Sequence, residues 1–200
     1  MGANSGLANT DGGLNTAVGS NALLTNTLGA SNTAVGYNVL KNTTGSNNTS
    51  CGDSSMLLNV GGSENTAMGS LALQTNVSGT TNTSIGQSSL YNSTGSSNSA
   101  VGSLCLRSAT TGSTNSGLGY NVGLNFPTTG NSNTMIGANS TMTANFSNSS
   151  CLGAGCSISG SNQVVLGTSA ENVIIAGNVI IGTVDLNQLY YNPPLNTNYY

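Results

Sequence analysis

Four cysteines, five carboxylates and two cations carry most of the reactive chemistry this 200-residue chain can offer, and histidine is absent. The cysteines are Cys51, Cys105, Cys151 and Cys156, the acids Asp11, Asp53, Glu64, Glu171 and Asp185, and the cations Lys41 and Arg107. Lack of His removes the commonest metal ligand and the commonest acid–base catalyst. No Cys-x-x-Cys pair occurs, so neither a zinc site nor any other metal or cofactor is expected. Each Cys stands where neighbouring segments carry a small or apolar residue, which suits a buried thiol acting as a small hydrophobe. A disulfide network stays open, though the spacing does not suggest one, and free thiols would fit synthesis in a reducing compartment. The acids are scattered, with Asp53 and Glu64 the closest pair. Paired carboxylates could cleave glycosides, but the solvated-surface reading is the better one. No Gly-rich stretch ends in the Gly-Lys-Ser/Thr of a phosphate-binding loop. The expectation is a protein that is not an enzyme, with no catalytic, cofactor-binding or metal-binding residue.

Partners narrow in the same way. Two cations cannot neutralise a phosphate backbone, so no nucleic-acid partner is expected. No run of about 18 apolar residues is present, so no membrane insertion is expected. The amino terminus shows neither a basic patch nor an apolar core of a secretory signal. A net charge of −3 says little about partners.

What positions these side chains is a repeat. Asn (31), Ser (30), Gly (28) and Thr (25) fill over half the chain. That composition borders on disorder, but disordered chains are usually highly charged, and here the apolar residues recur at a fixed period. The phrase Asn, Thr or Ser, small residue, aliphatic residue, Gly returns at Asn15–Gly19, Asn32–Gly36, Asn48–Gly52, Asn65–Gly69, Asn82–Gly86, Asn98–Gly102, Asn115–Gly119 and Asn133–Gly137. Degenerate copies, Asn4–Ala8 and Ser149–Gly153, bracket the series. The steps between repeat glycines from Gly19 to Gly153 are 17, 16, 17, 17, 16, 17, 18 and 16 residues. Four residues after the Gly an aliphatic residue often stands: Leu23, Leu40, Met56, Leu73, Leu90 and Leu106. The unit reads as short strand, Gly bend, short strand, Gly-bearing turn, with Gly supplying positive φ. It is too short for a strand plus a helix.

So small a unit must stack on its neighbours, aligning equivalent residues in ladders. The fold class is all-β: a parallel β-roll or β-solenoid of about ten repeats with a period of about 17, expected to form a homotrimer. The core ladder is expected at Val18, Val35, Cys51, Met68, Ile85, Val101, Leu118 and Ile136, facing the Leu23 series. Strand alternation puts Thr16 on the face of Val18 and Ala17 on the other. With Val18 inside, Ala17, Ala34, Ser50, Ala67, Ser84, Ala100 and Gly117 form an outward stripe of small residues, read as trimer-facing. The bland alternative is that small residues merely suit surface strands. The leading Asn of each unit is expected to bond to the adjacent turn and to the next rung. Nine Asn-x-Ser/Thr sequons, at Asn42, Asn76 and Asn139 among others, follow from the composition and make glycosylation only an option.

The pattern alters along the chain. Residues 1–157 form the repeat roll. Residues 158–182, with Gln163–Gly167, Asn172–Gly177 and Asn178–Gly182, are richer in β-branched residues and read as more buried strands that close the rod. Residues 183–200 hold Tyr190, Tyr191, Tyr199 and Tyr200, and Pro193-Pro194 forbids ladder pairing there. This tail is expected to dock on another protein, join the trimer core or be a stub of a longer chain.

Asn-Thr-Ala-Val-Gly, with a following Ala-Leu or Val-Leu and a Thr-x-Gly turn, resembles the head repeats of YadA-like trimeric adhesins. It is similar to repeats in phage tail fibres and in fibre-like proteins of large DNA viruses. The resemblance covers residues 4 to about 182. It implies left-handed parallel β-rolls, three chains around an axis, attaching a particle or cell to a surface. The chain departs from the bacterial pattern in its longer repeat and in showing no coiled-coil stalk, membrane anchor or signal peptide. These departures favour a structural fibre on a virion surface over a bacterial cell-surface adhesin head. Partners would be further copies of the chain, other virion proteins, or a host-surface glycan or protein. An ice-binding solenoid is the less favoured alternative, because Thr16, Thr33, Thr49, Thr66 and Thr83 form a ladder. It requires an exposed, flat Thr face, and sharing a face with Val18 in the core argues against that. A fibre-borne glycan hydrolase finds no support in the scattered acids.

Overall fold

A computed structural model describes residues 2–123, 129–170 and 173. It is a parallel β-solenoid of about nine turns with a period near 17 and no helix among the described residues. Ten three-residue strands form one sheet in chain order: β1 (Thr16–Val18), β2 (Thr33–Val35), β3 (Thr49–Cys51), β4 (Thr66–Met68), β5 (Thr83–Ile85), β6 (Ser99–Val101), β7 (Ser116–Leu118), β8 (Thr134–Ile136), β10 (Ser150–Leu152) and β12 (Val164–Leu166). Each pairs in parallel with the next, Thr or Ser on Thr or Ser except where Ser150 meets Val164, and aliphatic on aliphatic except at Cys51. The ten strands span roughly 43 Å, nine steps of about 4.8 Å.

The other side of each coil departs from the expected second strand. Leu23, Leu40, Met56, Leu73, Leu90 and Leu106 are buried but left-handed, with φ between 46° and 51°. The residues two before them, Asn21 and Asn38 among others, share the conformation. Alternation of right- and left-handed residues coils the backbone sharply and aims Ala22 or Val39 and the following Leu into the interior together. This conformation costs L-residues about 1–2 kcal/mol each; stacked backbone bonds such as Leu23 N–H to Val39 O (3.1 Å) offset it. True second-side strands arise only late, as β9 (Thr141–Met142) paired with β11 (Ser157–Ile158).

The Asn ladder forms as expected. Asn32 donates from Nδ2 to Gly45 O (2.9 Å), and its Oδ1 accepts the backbone N–H of Asn48 (2.9 Å). Asn48, Asn65, Asn82, Asn98 and Asn115 repeat this pattern. A second buried position lies before the turn Gly. Asn26, Asn59 and Asn76 each donate to the carbonyl of the Gly three residues on, at 2.8 Å. Thr43 and Ser93 occupy that position in the two 16-residue turns before Gly137, with Gly45 and Gly95 only two residues on. The amide side chain thus bridges the longer turn in these three copies, while Ala109, with Gly112 three residues on, keeps the same length without it.

Three expectations need correction. Asn4–Ala8 is not a copy of the strand: Asn4 Nδ2 donates to Asn21 Oδ1 (3.2 Å) and Gly6 N–H to Ala22 O (2.8 Å), so this segment stacks on the left-handed side. Gln163–Gly167 is not a more buried strand: β12 continues the same sheet with Val164 76% exposed. The sheet therefore runs through the expected change at residue 158. Residues 174–182 and the Tyr190, Tyr191, Tyr199, Tyr200 tail lie outside the described residues.

Candidate interaction face

Alternation within each strand holds, but inside and outside are exchanged relative to the expectation. The proposed core ladder faces solvent: Val18, Val35, Cys51, Met68, Ile85, Val101, Leu118 and Ile136 are all exposed, as are Leu152 and Leu166. The proposed trimer-facing stripe lies inside: Ala34, Ser50, Ala67, Ser84 and Ala100 are fully buried, Gly117 is buried, and Ala17 packs partly against the core. The physical reason is volume. The Leu23 series already fills the thin interior from the opposite wall, leaving room on the sheet side for little more than a methyl or hydroxyl. A Cβ on Gly117 would meet Cys105 Sγ at 2.6 Å and Leu106 Cγ at 2.9 Å. Met135 is the one large buried residue of this stripe, and the residue four after the repeat Gly is not Leu there: it is Gly123 in the preceding turn and Thr141 in its own.

The outward face is consequently a parallel sheet bearing two ladders. One is Thr16, Thr33, Thr49, Thr66, Thr83, Ser99, Ser116, Thr134 and Ser150. The other is the exposed aliphatic ladder, interrupted only by Cys51. The Thr ladder is not removed into a core by its aliphatic neighbours; both face out. A row of exposed apolar side chains over nine of ten rungs is uncommon on a monomeric surface and makes this face the candidate interaction site.

The cysteines divide by the same geometry. Cys151 and Cys156 form a disulfide, the alternative that the spacing does not suggest. Five residues apart, they occupy facing inward positions across the coil, the pair filled by Ser50 and Ser55 (Oγ to Oγ 2.8 Å) in an earlier turn. Cys105 is buried and free, and burial pushes its thiol up to about 12, with a backbone hydrogen bond at Val101 pulling the other way. Cys51 is free and exposed within the aliphatic ladder.

The remaining candidates do not converge. Asp11, Asp53 and Glu64 are exposed at different positions around the coil; Glu171 and Asp185 lie outside the described residues. Asp53 accepts a hydrogen bond from Ser54 Oγ at 3.0 Å. Arg107 lies 5.4 Å above the ring of Tyr91. Among the described residues no cavity opens, no cluster of metal-ligating side chains forms, and no helix is long and apolar enough to cross a membrane. No protein-family model matches the chain, no curated protein matches it, and no solved structure matches it. Fold and face together define a β-solenoid repeat protein with one apolar, unpartnered sheet.

Proposed function

We propose that this chain is a structural attachment fibre, a rod that associates as a homotrimer through its Thr/aliphatic sheet face. On this reading it stands on a virion surface and contacts other virion proteins or a host-surface glycan or protein; a bacterial adhesin head is the alternative setting for the same rod. The observation that carries the reading is the outward ladder from Val18 to Leu166, nine aliphatic residues and Cys51 over ten strands. Its dimensions suit a packed interface. Five residues of each turn, at about 3.3 Å each, give a face about 16 Å wide. Over roughly 43 Å that is a footprint of about 700 Å², close to the ~800 Å² per partner of a standard stable interface. Seven charged residues in the whole chain oppose association very little.

The exposed Thr ladder favours a second reading, an ice-binding face, in which regularly spaced hydroxyl and methyl groups order water against a flat sheet. Ser99, Ser116 and Ser150 lack the methyl and weaken it. The two readings compete for one surface. Light scattering in reducing buffer separates them: a mass near three times 19.8 kDa supports the fibre. A monomer overturns it and sends the protein to a thermal-hysteresis measurement.

A further inference from the structure

Nine Asn-x-Ser/Thr sequons lie along the chain, and the fold sorts them. Asn42, Asn47, Asn92, Asn139, Asn145 and Asn148 are exposed or half-buried. Asn48, Asn76 and Asn82 are at most 1% exposed and belong to the internal ladders. Their amide nitrogens are committed. Asn48 Nδ2 donates to Gly62 O (2.9 Å) and Asn32 Oδ1 (3.1 Å). Asn76 Nδ2 donates to Asn59 Oδ1 (2.7 Å) and Gly79 O (2.8 Å), and Asn82 Nδ2 to Gly95 O (2.9 Å). No space adjoins them: even a Cβ on Gly79 would come within 2.9 Å of Asn82 Nδ2.

Asparagine-linked transfer joins C1 of a sugar to this same nitrogen. The sugar–phosphate bond of a lipid-linked oligosaccharide breaks, the lipid diphosphate leaves, and one Nδ2 proton is given up. The product keeps one N–H where Asn48 and Asn76 use two, and it carries a bulky solvated group that the coil interior cannot admit. Sugar on any of the three and a closed coil are mutually exclusive. Because the transfer acts on the unfolded chain, it precedes the burial that would protect these residues. We infer that this protein must reach its fold in a compartment without asparagine-linked oligosaccharide transfer. The inference rests on burial alone and is independent of the fibre reading.

The structure supplies a clean variant, because the sequons can be broken at their third residue without touching Asn. Ser50→Ala and Ser84→Ala place Ala where Ala34, Ala67 and Ala100 already sit inside, and Ser78→Ala changes an exposed side chain. Made in bacterial cytosol, wild type and the triple variant should give the same circular dichroism, which establishes that the variant folds. Both chains are then directed through the secretory route of a glycosylating cell, with and without an inhibitor of lipid-linked oligosaccharide synthesis. Wild type should be retained, with sugar on Asn48, Asn76 or Asn82 by peptide mapping. Secretion should return with the inhibitor, and without it in the triple variant. Folded wild type secreted without inhibitor, whether these residues carry sugar or not, overturns the inference. So does retention that the inhibitor does not relieve, or that the inhibitor relieves and the variant does not.

Discussion

Adjacent residues of one strand should respond oppositely to the same substitution. Ile85 points out of β5 with 37% of its surface exposed, while Ser84 beside it is fully buried and donates to Ser89 O at 2.8 Å. A fully buried aliphatic side chain contributes about 1.5–3 kcal/mol, so covering the exposed part of Ile85 in an assembly adds roughly 0.6–1.1 kcal/mol. The nine aliphatic rungs from Val18 to Leu166 then add roughly 5–10 kcal/mol per copy. Association itself costs about 4–15 kcal/mol, so the interface has little surplus. Ile85→Lys removes one rung's contribution and sets a cation against its symmetry mates near the middle of the ladder. With only part of the several-kcal/mol desolvation penalty incurred near the solvent edge, the total loss is about 3–5 kcal/mol, or roughly 10²–10⁴ in affinity. The coil itself should be untouched, because the side chain already faces water in one copy. Ser84→Lys instead places an unpaired charge in the interior against the Leu ladder and should prevent folding. Light scattering and thermal unfolding by circular dichroism, run on both variants, read the two effects separately. A folded Ser84→Lys beside an unfolded Ile85→Lys would refute the assignment of inside and outside. A folded Ile85→Lys that keeps a trimer's mass would refute the role given to the ladder.

Two further outcomes follow from local structure. Leu14 is left-handed (φ 58°) and 90% exposed, at the ladder position held by Ser31 and Asn47 in the next turns. Leu14→Asn should relieve about 1 kcal/mol of backbone strain, measured as roughly fivefold slower amide exchange in the first turn. Cys105 should make stability fall in alkali. Its thiol stays protonated in the fold up to about 12, above the ordinary value of 9.0. Its contribution is therefore complete below the unfolded value and is lost as pH rises from there through the folded one. Chemical-denaturation midpoints between pH 8 and 11 should fall less for Cys105→Ala, the residue of this position in the turns of Ala22 and Ala72, than for wild type; equal slopes would contradict the burial of the thiol.

The period, the parallel stacking and the Asn ladder were legible in the sequence because each has a residue that little else can replace. Gly marks the bends, and a side-chain amide donates to one turn while accepting from the next. The sense of the sheet was not legible for a definite reason. A strand of three residues shows which side chains share a face but not which face is wet, and size alone points the larger residue inward. The deciding quantity is the space left by the opposite wall, known only once the Leu23 series is seen to enter the interior from a left-handed segment. Nothing in Leu or Met favours that conformation; the clue lay two residues earlier, where Asn21, Asn38, Ser54 and Ser88 are small and polar as such positions prefer. Given that wall, the rest follows from the residues themselves. Gly117 yields its Cβ to Cys105, and the inward pair five residues apart that is Ser50 and Ser55 in one turn becomes a disulfide at Cys151 and Cys156. The same geometry makes the exposed ladder informative. An interior satisfied by Ala and Leu needs nothing from Val18, Val35 or Ile85 in a single copy, so a surface partner accounts for their repetition better than the stability of the coil does.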